Sequence, residues 1–242
     1  MSLLAGIYRE QIVLGFKQAM QYRVGLTVWI IGLAVEPIVY LVVWRTVAEA
    51  RGGAAGGFSA GDFEAYYIVW IVVRVMNIAL TPWAFEDRVQ RGGFSPMLLR
   101  PVHPFHLDLG NFISMKLVAL GILAPIVLTL TLLFEPNLSP TAGDLLRFGA
   151  AIWSGFVMRF VLVWALGLIT FWVVRVSAIF DLYFAAELLL SGRLVPMALL
   201  PPGVRDVAYL LPFHWSFGFP IELALGRLSG ADIVGGFVRR SP

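Results

Sequence analysis

Residues 24–44 read VGLTVWIIGLAVEPIVYLVVW, a run of 21 residues with one charged side chain, Glu36. An α-helix needs about 20 mostly apolar residues to cross a hydrocarbon core about 30 Å thick. This stretch therefore predicts a membrane-spanning helix. Further runs of similar length and low charge recur along the chain. Together they predict five spans, at about residues 24–44, 63–83, 113–134, 148–174 and 176–200.

The composition points to the same class of protein. Of the 242 residues, 59% are apolar and 14% are charged, against about 45–50% and about 25% in soluble domains. The 18 basic and 15 acidic residues are too few to cover a soluble protein of this length. The cations are scattered along the chain, which argues against a nucleic-acid partner. We expect an all-α, polytopic helical membrane protein with a single transmembrane domain over residues 1–242.

The first 22 residues carry apolar side chains at every fourth position, with polar side chains between them. This spacing predicts an amphipathic helix over residues 1–22 that lies in the membrane surface. The alternative is a cytosolic helix that packs against the rest of the protein. The apolar positions are Leu4, Tyr8, Ile12, Phe16 and Met20.

Lysine and arginine accumulate in the cytoplasmic loops of membrane proteins, and this bias orients the spans. With alternating spans, eight cations fall on the side of the N-terminus and five on the opposite side. The N-terminus is therefore predicted to be cytoplasmic. The first group is Arg9, Lys17, Arg23, Arg88, Arg91, Arg100, Lys116 and Arg175, and the second is Arg45, Arg51, Arg147, Arg193 and Arg205.

Two segments on the predicted outer side lack the pattern of a span. Residues 51–61 contain five glycines, a composition that predicts a mobile loop. Residues 201–228 are rich in apolar side chains but are interrupted by prolines and polar groups, so we expect an external re-entrant or interfacial hairpin. The interrupting residues are Pro212, His214, Pro220 and Glu222.

Motifs for nucleotide hydrolysis or acyl transfer are missing from the sequence. A P-loop needs a glycine-rich loop that ends in Gly-Lys-Ser/Thr, and neither Lys17 nor Lys116 has that setting. His103 and His106 are a weak match to a metal site. A serine hydrolase is not supported either, because the sequence contains no GxSxG motif whose serine His214 could activate. We therefore expect a chain that is not an enzyme and that needs no metal or cofactor.

Four charged residues lie in the middle of predicted spans: Glu36, Arg74, Arg159 and Glu187. At 1.5 Å per residue, each is about 16–18 Å from one end of its span, so all four lie near the midplane. Charged side chains at this depth need internal partners. We expect the pairs Glu36–Arg74 and Glu187–Arg159, or the swapped combination. The pairs either hold the helices in register or line a polar translocation path.

Two stretches resemble ABC-2 type transporter permeases, particularly a short bacterial branch. Residues 86–101 read EDRVQRGGFSPMLLRP, and residues 190–201 read LSGRLVPMALLP and are followed by LPF at residues 211–213. The resemblance implies the transmembrane domain of an exporter, with six helices, in a bacterial plasma (inner) membrane. It further implies a second permease subunit, identical or different, and cytosolic P-loop ATPase subunits as partners.

The resemblance places the loop after the second span against the ATPase, as a coupling helix. The sequence suits that role, because Gly92 and Gly93 break one short helix, and Pro101 and Pro104 are expected to end the next. An apolar knob between two arginines would fit a partner groove. The alternative is an ordinary connector whose apolar residues pack back on the membrane surface. The expected coupling residues are Gly93, Met97, Leu98, Leu99, Arg100 and Pro101.

The sequence departs from the family pattern near its end. Members of the family carry a sixth span after the external hairpin, whereas this chain continues from Gly230 as ADIVGGFV and ends at Pro242. The expectation is that the sixth span is truncated or missing.

The leading functional hypothesis is a permease subunit that moves a substrate out of the cytoplasm by alternating access, driven by separate ATPase subunits. The substrate stays open, with drugs, lipids, polysaccharide precursors and peptides all possible. One alternative is an ion- or proton-coupled secondary carrier that titrates Glu36 and Glu187, although such carriers usually contain internal repeats. Another is a membrane enzyme acting on lipid headgroups through His103, His106 and Asp108.

Overall fold

The computed structural model describes residues 3–79, 82–138, 140–173 and 175–228. Over these residues the chain is helical apart from one short β-hairpin and the connecting loops, so the predicted all-α polytopic class is confirmed. The elements are α1 (Leu3–Gln21), α2 (Arg23–Ala50), β1 (Ala54–Ala55), β2 (Phe58–Ser59), α3 (Ala60–Met76), α4 (Pro82–Gln90), α5 (Phe94–Leu98), α6 (Pro104–Phe134), α7 (Ala142–Leu168), α8 (Ser177–Leu190), α9 (Pro202–Leu210), α10 (Pro212–Ser216) and α11 (Gly218–Ala224), with 3₁₀ turns at Ile169–Phe171 and Met197–Leu199.

Three helical segments in the described part of the chain are long and apolar enough to cross a membrane: Arg23–Ala50, Pro104–Phe134 and Ala142–Phe171. The helices within the other two predicted spans are shorter, with 17 residues in α3 and 14 in α8. Both stop inside the predicted span because the backbone turns away after Met76 and again at Gly192, where φ is +87°. The span boundaries across the bilayer stay a prediction.

Helix α3 lies at the centre of the protein and packs against α2, α6, α7 and α11. Its side chains are apolar or aromatic almost all the way round, and Tyr66, Tyr67 and Trp70 are fully buried. A helix that is hydrophobic on every face is stable only when other elements surround it. Helix α3 is therefore the element around which the longer helices assemble.

The long helices alternate in direction, which gives the protein two distinct ends. At one end, the amide nitrogen of Asn137, after α6, donates to the Gly61 carbonyl at the start of α3 over 3.2 Å. At the other end, Phe94 of α5 contacts Phe171, after α7, with 5.2 Å between ring centroids. We call these the hairpin end and the α4–α5 end.

The glycine-rich stretch was expected to be mobile, but it forms the hairpin of β1 and β2, with Ala54 opposite Ser59 and Ala55 opposite Phe58. Gly56 and Gly57 make the turn at φ +58° and +80°, a conformation that glycine adopts without strain. Phe58 is buried, and the Arg227 guanidinium lies 3.7 Å from its ring centroid. The glycines here therefore serve a defined turn.

Helix α1 packs lengthwise against α6. A side chain at Gly15 would collide with Ser114, and the Tyr8 hydroxyl lies 2.8 Å from His106 Nδ1. The other side of α1 leaves Leu4, Phe16 and Met20 exposed. One face of α1 thus packs against α6, and the position of the helix, in the membrane surface or in the cytosol, stays a prediction.

The predicted external hairpin at residues 201–228 consists of the three short helices α9, α10 and α11. Two of these helices begin at a proline, Pro202 and Pro212, because the missing N–H of proline is tolerated in a first turn. The expected loss of a sixth span concerns Gly230–Pro242, which lies outside the described residues.

Candidate functional site

Five charged side chains from four helices and one loop meet inside the bundle. This charge cluster consists of the four residues expected at the midplane, Glu36, Arg74, Arg159 and Glu187, and of one further residue, Arg193. Arg74 Nη1 lies 2.5 Å from Glu36 Oε2. Arg159 holds both oxygens of Glu187, with Nε 2.6 Å from Oε1 and Nη2 3.0 Å from Oε2. The expected pairs Glu36–Arg74 and Glu187–Arg159 are therefore confirmed, and the swapped combination is not formed.

Arg193 joins the two ion pairs. Its Nη1 lies 3.4 Å from Glu187 Oε2, and its Nη2 lies 3.7 Å from Glu36 Oε1. Arg193 was expected to be an outer-loop cation. It does lie in the loop after α8, but its side chain faces the cluster and is only 17% exposed. A signal was available, because Arg193 falls inside the predicted span 176–200 and therefore needs an internal partner.

A turn after α8 carries Arg193 into the cluster. Gly192 takes a left-handed conformation at φ +87°, and a Cβ there would lie 2.9 Å from the Tyr66 hydroxyl. That hydroxyl donates to the Gly192 carbonyl over 2.7 Å, and the Tyr67 hydroxyl donates to the Leu194 carbonyl over 3.1 Å. Two tyrosines of the central helix thus hold the backbone on either side of Arg193.

The carbonyl groups freed at the end of α3 are capped by two cationic side chains. Arg159 Nη1 donates to the Asn77 carbonyl, and Lys116 Nζ donates to the Ile78 carbonyl over 2.6 Å. Asn77 Nδ2 also donates to the Ser216 carbonyl of α10 over 2.8 Å. Non-helical backbone at membrane depth is tolerated when protein groups satisfy it in this way.

Lys116 was counted among the loop cations, and the structure corrects that assignment. The side chain is 1% exposed and lies 4.2 Å from the Phe156 ring centroid. The physical reason is that α6 begins at Pro104, so Lys116 lies about 18 Å along the helix. Without Lys116 and Arg193, the loop cations number seven on the N-terminal side and four on the opposite side, compared with eight and five before.

The predicted coupling residues lie in the α4–α5 segment, residues 82–101, at the end of the molecule opposite the hairpin. Gly92 breaks the helix between α4 and α5 at φ +70°, and a Cβ at Gly93 would lie 3.3 Å from Arg88 Cα. Met97 is half-buried. Pro104 begins α6 instead of ending α5, which corrects the expected role of that proline. The exposed part of the set is Leu98, Leu99, Arg100 and Pro101.

An aromatic anchor fixes the short helix α5. Phe94, its first residue, is buried, and its ring centroid lies 5.9 Å from that of Phe85 in α4. By contrast, Leu99 is 87% exposed at the other end of the helix. Leu98 and Leu99 belong to none of the hydrophobic clusters formed by the described residues. The alternative, in which the apolar residues pack back on the membrane surface, stays a prediction.

Two acidic residues tie α4 to α6, α7 and α8. Arg88 contacts both oxygens of Asp108 in α6, at 2.7 and 2.8 Å, and Trp164 Nε1 of α7 donates to the same carboxylate over 3.2 Å. Glu86 Oε1 accepts from the amide nitrogens of Val176 and Ser177 at the start of α8, over 2.7 and 3.0 Å. These contacts could not be predicted from the sequence, because partners this distant in the chain leave no local pattern.

The residues of the suggested headgroup enzyme have separate partners. His106 bonds to Tyr8, Asp108 bonds to Arg88, and His103 accepts from the Phe105 amide nitrogen at the start of α6. Within the described ranges, His, Cys, Asp and Glu residues do not form a group of three or more that could hold a metal ion. The structure therefore gives this alternative no assembled site.

Comparison with known families identifies the chain. The family described as ABC-2 family transporter protein matches residues 34–239, which include the charge cluster and the α4–α5 segment. No curated protein and no solved structure matches the chain. The chain belongs to the ABC-2 family of transporter proteins, and it is a membrane permease component of an ABC transporter that associates with ABC ATPase subunits.

Proposed function

We propose that this chain is the membrane subunit of an ABC exporter, in which it pairs with a second permease. Cytosolic P-loop ATPases would drive alternating access and move a substrate out of a bacterial cell. The observation that carries the proposal is the exposed Leu98–Leu99 pair on a short helix that Phe94 anchors. An exposed apolar pair between Arg91 and Arg100 has the chemistry of a protein-binding hot spot.

The contacts of α4 suit the transmission of a displacement. A partner that moves Leu98 and Leu99 would move α4, and with it the Arg88–Asp108 ion pair on α6 and the Glu86 contact at the start of α8. Packed elements joined by buried polar contacts shift as units instead of deforming smoothly. We propose that the movement reaches the charge cluster through α8, which carries Glu187.

The proposed orientation puts the α4–α5 end and the N-terminus in the cytoplasm. The corrected count of loop cations, seven against four, supports this direction by the positive-inside rule. The carrier hypothesis gains no comparable support, since both of its proposed titrating groups, Glu36 and Glu187, are ion-paired to arginine.

Purification of the tagged full-length chain from its native membrane tests the assignment of partners. We expect a P-loop ATPase and a permease, either a second copy of this chain or a related one, to be recovered with it. Transport by the reconstituted complex should depend on ATP and not on a proton gradient. Recovery of the chain without an ATPase, together with transport that follows the proton gradient, would favour the carrier hypothesis.

A substitution at Asp108 separates binding of the ATPase from transmission. Asp108→Asn removes the charge that Arg88 and Trp164 contact, while it leaves Leu98 and Leu99 in place. We expect ATPase co-purification to persist and ATP-driven transport to fall by about tenfold, a loss typical of interrupted coupling. Asp87→Asn is the matched control, because Asp87 pairs only with Arg91, the residue that follows α4, among the described ion pairs. Equal transport by the two variants would contradict the proposed path.

A further inference from the structure

Two hydrogen-bond donors next to the charge cluster lack an acceptor. Among the described residues, the buried atoms Trp70 Nε1 and Arg193 Nε have no hydrogen-bond partner. The neighbouring Arg74 Nη1 is paired with Glu36 Oε2, 2.5 Å away. Buried donors are nearly always paired in proteins, so two unpaired donors in one place need an explanation.

The three side chains form one group. The Arg74 guanidinium carbon lies 5.4 Å from the centroid of the Trp70 ring, and that of Arg193 lies 5.8 Å from it. Both guanidinium groups therefore lie next to the same indole, that of Trp70 in the central helix. Because guanidinium and indole N–H groups only donate, these side chains cannot satisfy one another.

The balance of charge also favours an added anion. The cluster holds the three cations Arg74, Arg159 and Arg193 against the two carboxylates Glu36 and Glu187, which leaves one positive charge uncompensated. An uncompensated charge away from water is costly, and one further negative charge would neutralise it.

Access to the cluster is uneven. The Arg159–Glu187 pair is buried and inaccessible to a ligand, since the Glu187 side chain is 1% exposed. The Glu36 side chain, by contrast, is 33% exposed. A ligand would therefore reach the cluster on the side of Glu36, Arg74 and Arg193. Arg193 is also the less tightly held arginine there, because its contacts to the two glutamates are the longest in the cluster.

We propose that Trp70, Arg74 and Arg193 form a binding site for an oxyanion, a phosphate or carboxylate group, and that Glu36 is the internal anion which this ligand displaces. Planar guanidinium groups bind such oxygens through paired, charge-assisted hydrogen bonds. The identification of the ligand as part of the transported molecule rests on the proposed function. The oxyanion site itself does not depend on it.

Ligand titration of the purified full-length chain in dodecyl maltoside tests the site. The probes are dodecyl phosphate and inorganic phosphate, with added dodecyl maltoside as the uncharged control, and the readouts are tryptophan fluorescence and the thermal unfolding midpoint. We expect dodecyl phosphate to bind. Comparable binding of inorganic phosphate would identify a free anion as the source, whereas weaker binding of it would indicate an amphiphile.

Two substitutions with opposite expected effects make the test specific. Arg193→Gln should weaken dodecyl phosphate binding by about tenfold, the ratio for one charge-assisted hydrogen bond, and Glu36→Gln should tighten binding by a similar factor. Arg91→Gln, far out on the α4–α5 segment, controls for general loss of positive charge. Unchanged affinity in both variants would overturn the site, and it would mean that water satisfies the two donors.

The outcome is independent of the ATPase, because the titration contains none. Loss of the predicted partners on purification would overturn the exporter proposal and leave the oxyanion site standing. Unchanged binding in the Arg193 and Glu36 variants would remove the site and leave the permease assignment intact.

Discussion

Replacing Leu98 and Leu99 with aspartate is expected to abolish the association of this permease with its ATPase. The two leucines are exposed on α5, so the charges should be tolerated in the free protein. In a complex, each aspartate would be buried in an apolar groove without a partner. Residues central to an interface contribute at least about 2 kcal/mol each, which corresponds to a loss of affinity of about 30-fold per residue. Co-purification with the tagged chain in detergent measures the effect.

A matched control exists elsewhere in the chain. Leu99 is 87% exposed, and Leu210 on α9 is 83% exposed, so the same change is made to a leucine of similar exposure. Leu210→Asp should leave the ATPase bound, whereas Leu99→Asp should release it. Retention of the ATPase by the Leu98→Asp, Leu99→Asp double variant would remove the α4–α5 segment from the interface.

Breaking the buried Arg159–Glu187 pair is expected to cost more stability than removing it. Arg159→Met leaves the Glu187 carboxylate buried without its bidentate partner. Glu187→Leu in turn leaves the Arg159 guanidinium buried without its carboxylate. Removing one partner of a buried ion pair costs about 3–5 kcal/mol. For Arg159→Met we expect the lower end of this range, because Arg193 still lies 3.4 Å from Glu187. The double variant removes both charges and should lose about 1–3 kcal/mol, mainly because the Asn77 carbonyl loses its donor.

Unfolding of the four proteins in detergent micelles, by heat or by denaturant, completes this double-mutant cycle. The exposed pair Asp87 and Arg91 serves as the control, because solvent-exposed ion pairs contribute little. Its cycle should show nearly independent, small effects. If the Arg159→Met, Glu187→Leu protein is as unstable as the two single losses added together, the two side chains do not act as one unit.

The ion pairs of the charge cluster were predictable only in part. Counting residues along each span placed Glu36 and Arg74 at the same depth, and a charge in a membrane needs a partner, so the existence of ion pairs was predictable. The choice between two pairings was not, because equal depth permits both. Packing of α2 against α3 decided it, since this brings Glu36 to Arg74.

Lys116 and Arg193 were misplaced for a related reason. Both were counted as loop cations, although each falls inside a predicted span, 113–134 for Lys116 and 176–200 for Arg193. Their real environment depends on where α6 begins and on the direction the chain takes after Gly192. Pro104 as the first residue of a helix was a usable signal for Lys116. The path after Gly192 depends on hydrogen bonds from tyrosines more than 120 residues away in the chain.

The sequence by itself determined the class of this protein, the existence of buried ion pairs and the segment that carries the exposed leucines. Each of these follows from local quantities: the length of an apolar run, the energy of a charge in hydrocarbon, and glycines that break a helix. Only the tertiary structure decided that Arg193 completes the charge cluster, that Lys116 caps a carbonyl at the end of α3, and that Asp108 binds Arg88 of α4. These contacts join residues distant in the chain, and their energies depend on helix packing, which no local pattern encodes.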